Sequence, residues 1–363
     1  MFVIMRGRTE FFMIEYLPWS KKVLHEMLDK QKKGAIPTLD LELTAQCSGA
    51  CCIYCDSKPD VCYHKQEGEI DYLSLKKLIL EAKERGLTWI YTCGLGEPLE
   101  DDKFWNMIHL LKQNEISLSM FSNGVFINDI NVARELKENN VNIILKMDTF
   151  DDAAFDSILG KKGTADKIYN ARDLLLEAGF GSRSGYTDFA FSIVPTSISI
   201  EGIPEVVSFA KKNGIFASIG ELEQAGDVIN KNLKSSLEVP MEKIINLKAI
   251  ADSYIEGKYM RPICPCILTG LHIDNIGNCI VDEDTGLNCK WFLLKDPRTV
   301  KIGNIRTENI DNLFEKVNAY RKDCFINKID MIKTSCDVSY VFGGCGGNPK
   351  DIISLALEQY NYE

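Results

Sequence analysis

The stretch "LELTAQCSGACCIYCD", residues 41–56, follows directly on the alternating, strand-like start "TLD" (38–40) and holds four cysteines within nine positions. These are Cys47, Cys51, Cys52 and Cys55. Thiolates are soft ligands that bind zinc or iron–sulfur clusters. Structural zinc usually takes four ligands, often as two Cys-x2-Cys pairs, whereas this loop has one such pair. Three ligands on one loop leave one metal position open, where a substrate or cofactor can bind.

The composition is that of an ordinary globular protein, with 363 residues, of which 45% are hydrophobic and 26% charged. The formal net charge of -10 argues against a nucleic-acid partner, because an acidic surface repels phosphate groups. No apolar run reaches the roughly 18–20 residues that span a bilayer, and charges interrupt the N-terminal segment "MFVIMRGRTEFFMIEY". We therefore expect a cytoplasmic protein with no membrane partner.

Outward from the cysteine loop, strand and helix patterns alternate regularly. Strands are predicted at 38–44, 88–94, 117–124, 141–149, 188–196 and 215–226, and helices at 71–86, 101–115, 128–140, 165–179 and 200–214. Such alternation predicts an α/β fold with a parallel sheet and helices outside it. Six units fall short of the eight that close a barrel, which favours an open, partial (β/α)6 TIM-like barrel. Ligands then bind at the C-terminal edge of the strands.

The C-terminal third has a different amino-acid composition. Of the 13 cysteines, seven fall between Cys264 and Cys345, in Gly-rich sequence with short strand patterns and a β-hairpin predicted at 270–292. In a reducing compartment such a second group suggests a second metal site. We predict four parts: an N-terminal extension (1–37), the partial barrel (38–235), a helical connector (236–262) and a small Cys-rich α+β domain (263–363).

The first cysteine loop resembles that of the radical S-adenosylmethionine (SAM) superfamily, in which a strand "LxLT" leads to Cys-x3-Cys-x-aromatic-Cys. Here "LELT" leads in and Tyr54 stands at the aromatic position. One extra residue leaves two candidate ligand sets, Cys47, Cys52 and Cys55 or Cys47, Cys51 and Cys55. We favour the first, because it keeps the Cys-x-aromatic-Cys ending.

Further matches follow at the expected strand ends. "CGLGEPL" (93–99) resembles the Gly-Gly-Glu-Pro segment, "FSNG" (121–124) resembles "TNG", and "KMDT" (146–149) resembles "SLD" with Lys146 in place of serine. "ELEQAG" (221–226) falls where the sixth strand meets the adenine side. The resemblance implies these SAM-binding residues: Tyr54, Gly94, Gly96, Glu97, Pro98, Ser122, Asn123, Asp148 and Glu221. It implies no particular catalytic residue.

The resemblance also implies the cofactors and the reaction. A 4Fe–4S cluster would bind SAM and cleave it reductively to a 5′-deoxyadenosyl radical, which abstracts hydrogen from a substrate C–H bond. The electron would come from a flavodoxin- or ferredoxin-type donor.

The C-terminal segment resembles the SPASM or shorter twitch extension of this superfamily, through "LHIDNIGN", "KIGNIRTENIDNLF" (301–314) and "GGC" (343–345). This implies one or two auxiliary 4Fe–4S clusters; the alternative is a structural zinc site. The hairpin ligand is either Cys279 or Cys289. The candidate ligands are Cys266, Cys279, Cys289, Cys324, Cys336 and Cys345.

Such extensions favour a peptide or protein side chain as substrate, as in the maturation of ribosomal peptides or sulfatases. The alternative substrate is a small polar metabolite, such as a sugar, aminocyclitol or nucleoside, that is oxidised, dehydrated or epimerised. A third hypothesis is that the protein is not an enzyme but an iron–sulfur sensor or a zinc-binding protein. Such a protein would not need the SAM-binding loops.

Overall fold

The computed structural model describes residues 15–55, 64–92, 94–181, 186–220, 222, 232–252, 270–283 and 299–327. The strands are β1 (Glu15–Tyr16), β2 (Thr38–Leu41), β3 (Trp89–Thr92), β4 (Ser117–Ser122), β5 (Val141–Lys146), β6 (Tyr186–Thr187), β7 (Phe189–Ile193), β8 (Phe216–Ile219), β9 (Leu271–Ile273), β10 (Asn278–Asp282) and β11 (Thr299–Asn304). The helices are α1 (Lys21–Lys32), α2 (Tyr72–Glu84), α3 (Phe104–Gln113), α4 (Ile130–Glu138), α5 (Asp152–Leu159), α6 (Thr164–Glu177), α7 (Ile203–Lys212), α8 (Lys234–Leu237), α9 (Met241–Asp252) and α10 (Ile310–Asn327).

Among the described residues, nine strands form one sheet in the order β11-β10-β9-β2-β3-β4-β5-β7-β8. From β2 to β8 all neighbours are parallel, and these are the six strands predicted from the sequence. Within the described residues the sheet is open between β8 and β11. The predicted partial barrel with outer helices is therefore confirmed, with strands shorter than expected.

The two faces of the parallel strands differ in chemistry. Register partners share a face, and one face is mainly apolar, with rows such as Leu39, Ile90 and Leu118 packed with the outer helices in one core. The other face carries the row Asp40, Tyr91, Ser119 and Asn142. This polar inner face ends in Lys146 at the C-terminal edge of β5.

The loops that follow the strands enter their helices through aspartate caps. The carboxylates of Asp71, Asp129 and Asp151 accept hydrogen bonds from the first-turn amides of α2, α4 and α5. The helices predicted at 71–86, 101–115, 128–140, 165–179 and 200–214 are confirmed as α2, α3, α4, α6 and α7. Helix α5 was not predicted; its C-terminus reaches the cysteine loop.

The C-terminal segment joins the same sheet. The predicted hairpin is present as β9 and β10, antiparallel through Ile273 and Cys279, and β9 pairs in parallel with β2, which no local pattern indicated. Opposite Asp40 stands His272, whose Nδ1 lies 3.0 Å from the Asp40 carboxylate and whose Nε2 lies 3.5 Å from Glu42. All three side chains are buried.

No helix in the described ranges is both long and apolar enough to cross a membrane.

A first prediction concerns Gly270, at the start of β9. Its φ is +75°, and a Cβ there would lie 1.8 Å from the carbonyl oxygen of Thr38. Gly34 has a similar φ of +83° with open space around it. Gly34→Ala should cost only the left-handed backbone strain, about 1–2 kcal/mol. Gly270→Ala should lower the free energy of unfolding further, because β9 must move away from β2. Equal losses in urea denaturation would contradict this account.

A second prediction follows from His272. Burial alone would lower its pKa, but Asp40 and Glu42 outweigh that effect and raise the pKa to about 10, from 6.5. The folded state therefore holds the proton more tightly, so the stabilisation is complete below about pH 6.5 and is lost as the pH rises through about 10. The difference in unfolding free energy between wild type and His272→Gln should shrink over this range. A difference that stays constant with pH would disprove this assignment.

Candidate functional site: a cysteine loop at the carboxyl edge of the sheet

The cysteine loop lies at the C-terminal edge of the strands, as predicted. Cys47, Cys51, Cys52 and Cys55 are all partly buried. No three His, Cys, Asp or Glu side chains in the described part of the chain are close enough together to hold one metal ion. In a 4Fe–4S cluster each cysteine binds through its thiolate, and three cysteines would leave one of the four ligand positions open.

Cys51 is held differently from the other three. Its amide donates to the carbonyl of Leu159 at 2.8 Å, and the amide of Ile53 donates to that of Ile158 at 2.9 Å. Helix α5 ends at Gly160, where a Cβ would lie 2.2 Å from the carbonyl oxygen of Cys51. The backbone at Cys51 is thereby anchored to the end of α5.

The thiols of Cys47, Cys52 and Cys55 interact electrostatically. Burial raises the pKa of Cys47, followed in importance by Glu97, Cys52 and Cys55. Burial likewise raises the pKa of Cys52 to about 12; Lys146 opposes the rise and Cys55 adds to it. Buried thiols that raise one another's pKa resist ionisation unless a metal compensates the charge. Soft donors that need such compensation, at an edge rich in polar groups, fit an iron–sulfur cluster.

The Gly-x-Gly-Glu-Pro segment packs directly on the cysteine loop. Gly96 has a φ of +76°, and a Cβ there would lie 2.1 Å from the carbonyl oxygen of Thr44. The next amide, of Glu97, donates to the carbonyl of Gln46 at 2.8 Å. Gly94, also with positive φ, is exposed, while Pro98 is buried and opens a short 3-10 turn. Glycine at position 96 is therefore required by the close approach of two backbones.

Glu97 connects this segment with the end of β4. Its carboxylate accepts hydrogen bonds from the amide of Asn123 at 2.7 Å and the hydroxyl of Ser122 at 2.8 Å. Burial raises its pKa to about 7 despite these bonds. The side-chain amide of Asn123 also lies 3.5 Å from the Cys47 sulfur. Three predicted SAM-site residues thus form one network beside the first cysteine, in which Glu97 positions the other two.

Asp148 and Tyr54, predicted from separate motifs, are in direct contact. The Tyr54 hydroxyl donates to Asp148 Oδ2 at 2.5 Å, and Asp148 Oδ1 accepts from the amide of Val194 at 2.9 Å. Lys146 donates to the same Asp148 oxygen at 2.8 Å and also contacts the Tyr54 hydroxyl. Burial would lower the pKa of Lys146, but Asp148 outweighs it and raises the pKa.

Two carboxylates that sequence reasoning missed also hold the loop. Glu100 accepts from the amide and hydroxyl of Ser48 and from the side chain of Gln46. Glu69 accepts from the amide of Ala45 at 2.8 Å. The only sequence signal for Glu100 is its place just after the Gly-Glu-Pro segment, and Glu69 has none, because it lies in a loop 24 residues from its partner.

The C-terminal candidates are only partly described. Cys279 lies in β10, fully buried in the apolar core, and Cys324 is buried on α10 with its sulfur 3.8 Å from the carbonyl oxygen of Glu283. The following predicted residues lie outside the described residues: Glu221, Cys266, Cys289, Cys336 and Cys345.

Comparison with known proteins agrees with this geometry. Residues 41–193 match the model of the Radical SAM superfamily. The chain is 26% identical to mycofactocin maturase MftC of Mycolicibacterium smegmatis over 78% of this chain and 71% of the relative. It is also 26% identical to the tungsten-containing aldehyde ferredoxin oxidoreductase cofactor-modifying protein of Pyrococcus furiosus, over 50% of each chain.

Solved structures show the same fold. Streptococcus suis SuiB bound to S-adenosylmethionine superposes with a TM-score of 0.59 and 16% identity, over 82% of this chain and 71% of that one. Native anSMEcpe with bound AdoMet superposes with a TM-score of 0.53 and 20% identity, over 90% and 96%. Residues 41–193 are thus similar in sequence to the radical SAM superfamily, whose enzymes use a 4Fe–4S cluster and SAM, and the solved structures agree with this in fold.

A third prediction concerns Glu97→Gln. Glutamine replaces one acceptor oxygen with an amide donor, so a donor faces either the N–H of Asn123 or the N–H of Leu99, which bonds the other oxygen at 3.3 Å. A buried mismatch of this kind costs about 1–3 kcal/mol, which predicts SAM binding weakened roughly 5- to 150-fold and a lower melting temperature. Glu84→Gln, on the exposed end of α2, is the matched control. Calorimetric SAM affinity equal to that of the control would refute the role given to Glu97.

Proposed function

We propose that this protein is a radical SAM maturase that modifies a peptide, with Cys47, Cys52 and Cys55 as the ligands of the SAM-binding cluster. The observation that carries the ligand assignment is the difference between two neighbouring thiols. Cys51 is anchored through its backbone to α5, whereas Cys52 and Cys55 both help to raise the pKa of Cys47, and Cys51 influences the pKa of Cys52 less than Cys55 does. This favours Cys52 over Cys51 as the second ligand.

Cys47, Cys52 and Cys55 would hold a cluster that would supply one electron for the reductive cleavage of SAM, the chemistry with which radical SAM enzymes begin hydrogen abstraction from a substrate C–H bond. A flavodoxin- or ferredoxin-type protein would deliver that electron. The protein's own residues position the reactants. Asn123 donates toward the Cys47 sulfur at 3.5 Å, and hydrogen bonds to cluster sulfurs tune reduction potentials.

SAM would lie along the carboxyl edge of β3, β4 and β5, against Gly94, Gly96, Ser122, Asn123 and Asp148. The close backbone contact at Gly96 brings this segment next to the cysteine loop, where the methionine part of SAM would bind. One oxygen of Glu97 accepts from Asn123, and the other accepts from Ser122 and from the amide of Leu99, so the carboxylate orients the ends of β3 and β4. It therefore acts on SAM through its neighbours.

The peptide substrate is supported by two relatives. MftC, which aligns over 78% of this chain, is named a mycofactocin maturase, and SuiB has been solved with its precursor peptide SuiA at a TM-score of 0.59 to this chain. Neither of these two relatives supports the small-molecule alternative.

We also propose an auxiliary cluster in the C-terminal segment, held by Cys266, Cys289, Cys324, Cys336 and Cys345 or a subset of them. We place Cys289 rather than Cys279 at the hairpin position, because Cys279 is buried among apolar residues of the core. An auxiliary cluster there would accept one electron from the substrate radical, which is thereby oxidised.

A fourth prediction tests the ligand set. After anaerobic reconstitution, Cys47→Ala, Cys52→Ala and Cys55→Ala should each lose 5′-deoxyadenosine formation from SAM and dithionite. The loss should be at least as large as the roughly 10- to 100-fold effect of removing an outer-shell partner. Cys51→Ala is the matched control and should stay near wild type. If instead Cys51→Ala is inactive and Cys52→Ala active, the ligand set is Cys47, Cys51 and Cys55.

The same preparations test the auxiliary cluster and the substrate. The triple variant of the three ligands should lose about four iron atoms and retain the rest, whereas a protein with no auxiliary cluster would retain none. Peptides encoded beside the gene should change in mass when SAM is consumed and should raise 5′-deoxyadenosine above the level without peptide. A response to small polar metabolites only would refute the peptide assignment.

A further inference from the structure

Lys146 occupies a place where the resemblance leads one to expect serine, at the end of β5 on the polar inner face of the sheet. Its side chain is 15% exposed, and its ammonium lies 4.4 Å from the centre of the Tyr54 ring. In the chain Tyr54 directly precedes Cys55 and follows Cys52 by two residues. The ammonium is thus held against the segment that carries two of the three proposed cluster ligands.

The position of this charge is fixed by its partners. Asp148 is fully buried, and its carboxylate accepts from Lys146 at 2.8 Å, from Tyr54 at 2.5 Å and from the Val194 amide at 2.9 Å. Ordering a lysine side chain and removing an ion pair from water both cost free energy. Such an arrangement is a weak source of stability, so its function has to be sought in the charge itself.

We propose that Lys146 is a positioning residue that places a fixed positive charge beside the cluster bound by Cys47, Cys52 and Cys55, favours its reduced state, and is held there by Asp148 and Tyr54. The proposal rests on the ligand set proposed above. One-electron reduction adds a negative charge to the cluster. A nearby cation in a partly buried site stabilises that charge, and Asp148 opposes it.

The sign of the effect separates electrostatics from packing. Lys146→Met removes the cation at similar length and leaves Asp148, so the reduced cluster is disfavoured. Asp148→Asn removes the anion at the same size and leaves Lys146, so the reduced cluster is favoured. A purely structural role would shift both variants in the same direction, because both break the same contact.

The experiment is an EPR-monitored dithionite titration of the reconstituted full-length protein, following the cluster signal that changes when SAM is added. Relative to wild type, the midpoint potential should become more negative in Lys146→Met and more positive in Asp148→Asn. The Lys146→Met/Asp148→Asn double variant should fall between them, and Lys146→Arg should stay near wild type. Lys161→Met is the matched control, since Lys161 also contacts the loop, at the carbonyl of Ser48 3.1 Å away, but is exposed and screened by water.

Potentials that do not move, or that move in one direction in both single variants, would overturn the proposal. A weaker SAM affinity in Lys146→Met with an unchanged potential would also overturn it, because Lys146 would then serve SAM alone. If Lys146→Met fails to bind iron, the comparison of Asp148→Asn with the double variant decides instead: both lack the anion and only the double variant lacks the cation, so its potential should be the more negative. If the wild type binds the cluster and the variants show none of these shifts in potential, only this inference is refuted. If the three cysteines of the wild type bind no iron, the ligand set is refuted as well.

Discussion

The arrangement of this protein depends on strand β2, which is paired on both sides and leads directly into the cysteine loop. On one side it pairs with β3 and on the other with β9, so its backbone has no free edge. The pairing continues past the strand itself, since the amide of Glu42 donates to the carbonyl of Ile273 at 2.9 Å. Because β2 cannot slide without exposing Leu39 and Leu41, the start of the loop is fixed relative to every other strand.

Beyond the strand, the loop is held mainly by buried or half-buried carboxylates. Glu100 accepts from Ser48, Glu69 accepts from Ala45, and Asp148 accepts from Tyr54. Each carboxylate satisfies backbone or hydroxyl donors that the loop cannot pair within itself. A loop of thiols that must accept an inorganic cofactor thereby has a defined shape before the cofactor binds, which reduces the ordering cost of binding.

The C-terminal segment is part of this support. The side chain of Asn275 donates to Glu69, and Arg306 donates to the carbonyls of Gly68 and Glu69. Together with His272 between Asp40 and Glu42, these contacts tie the β9–β10 turn to the loop that follows the first cysteine group. Through Glu69 the C-terminal segment therefore contacts the start of the cysteine loop, although the two are far apart in sequence.

The sequence by itself determined the six parallel strands, five of the helices and the edge at which the cysteines gather, because alternation, helical spacing and strand-end motifs are local properties. It also singled out Gly96, Glu97, Asn123 and Asp148. It left the choice between Cys51 and Cys52 open, since spacing alone allows both. The tertiary structure added the backbone bonds from Cys51 and Ile53 to the end of α5, from which the choice of Cys52 is proposed. Three further features could be seen only in the tertiary structure: the pairing of β9 with β2, the hydrogen bonds from the cysteine loop to Glu69 and Glu100, and the contact of Lys146 with Tyr54. Each joins residues whose separation along the chain carries no periodic signal.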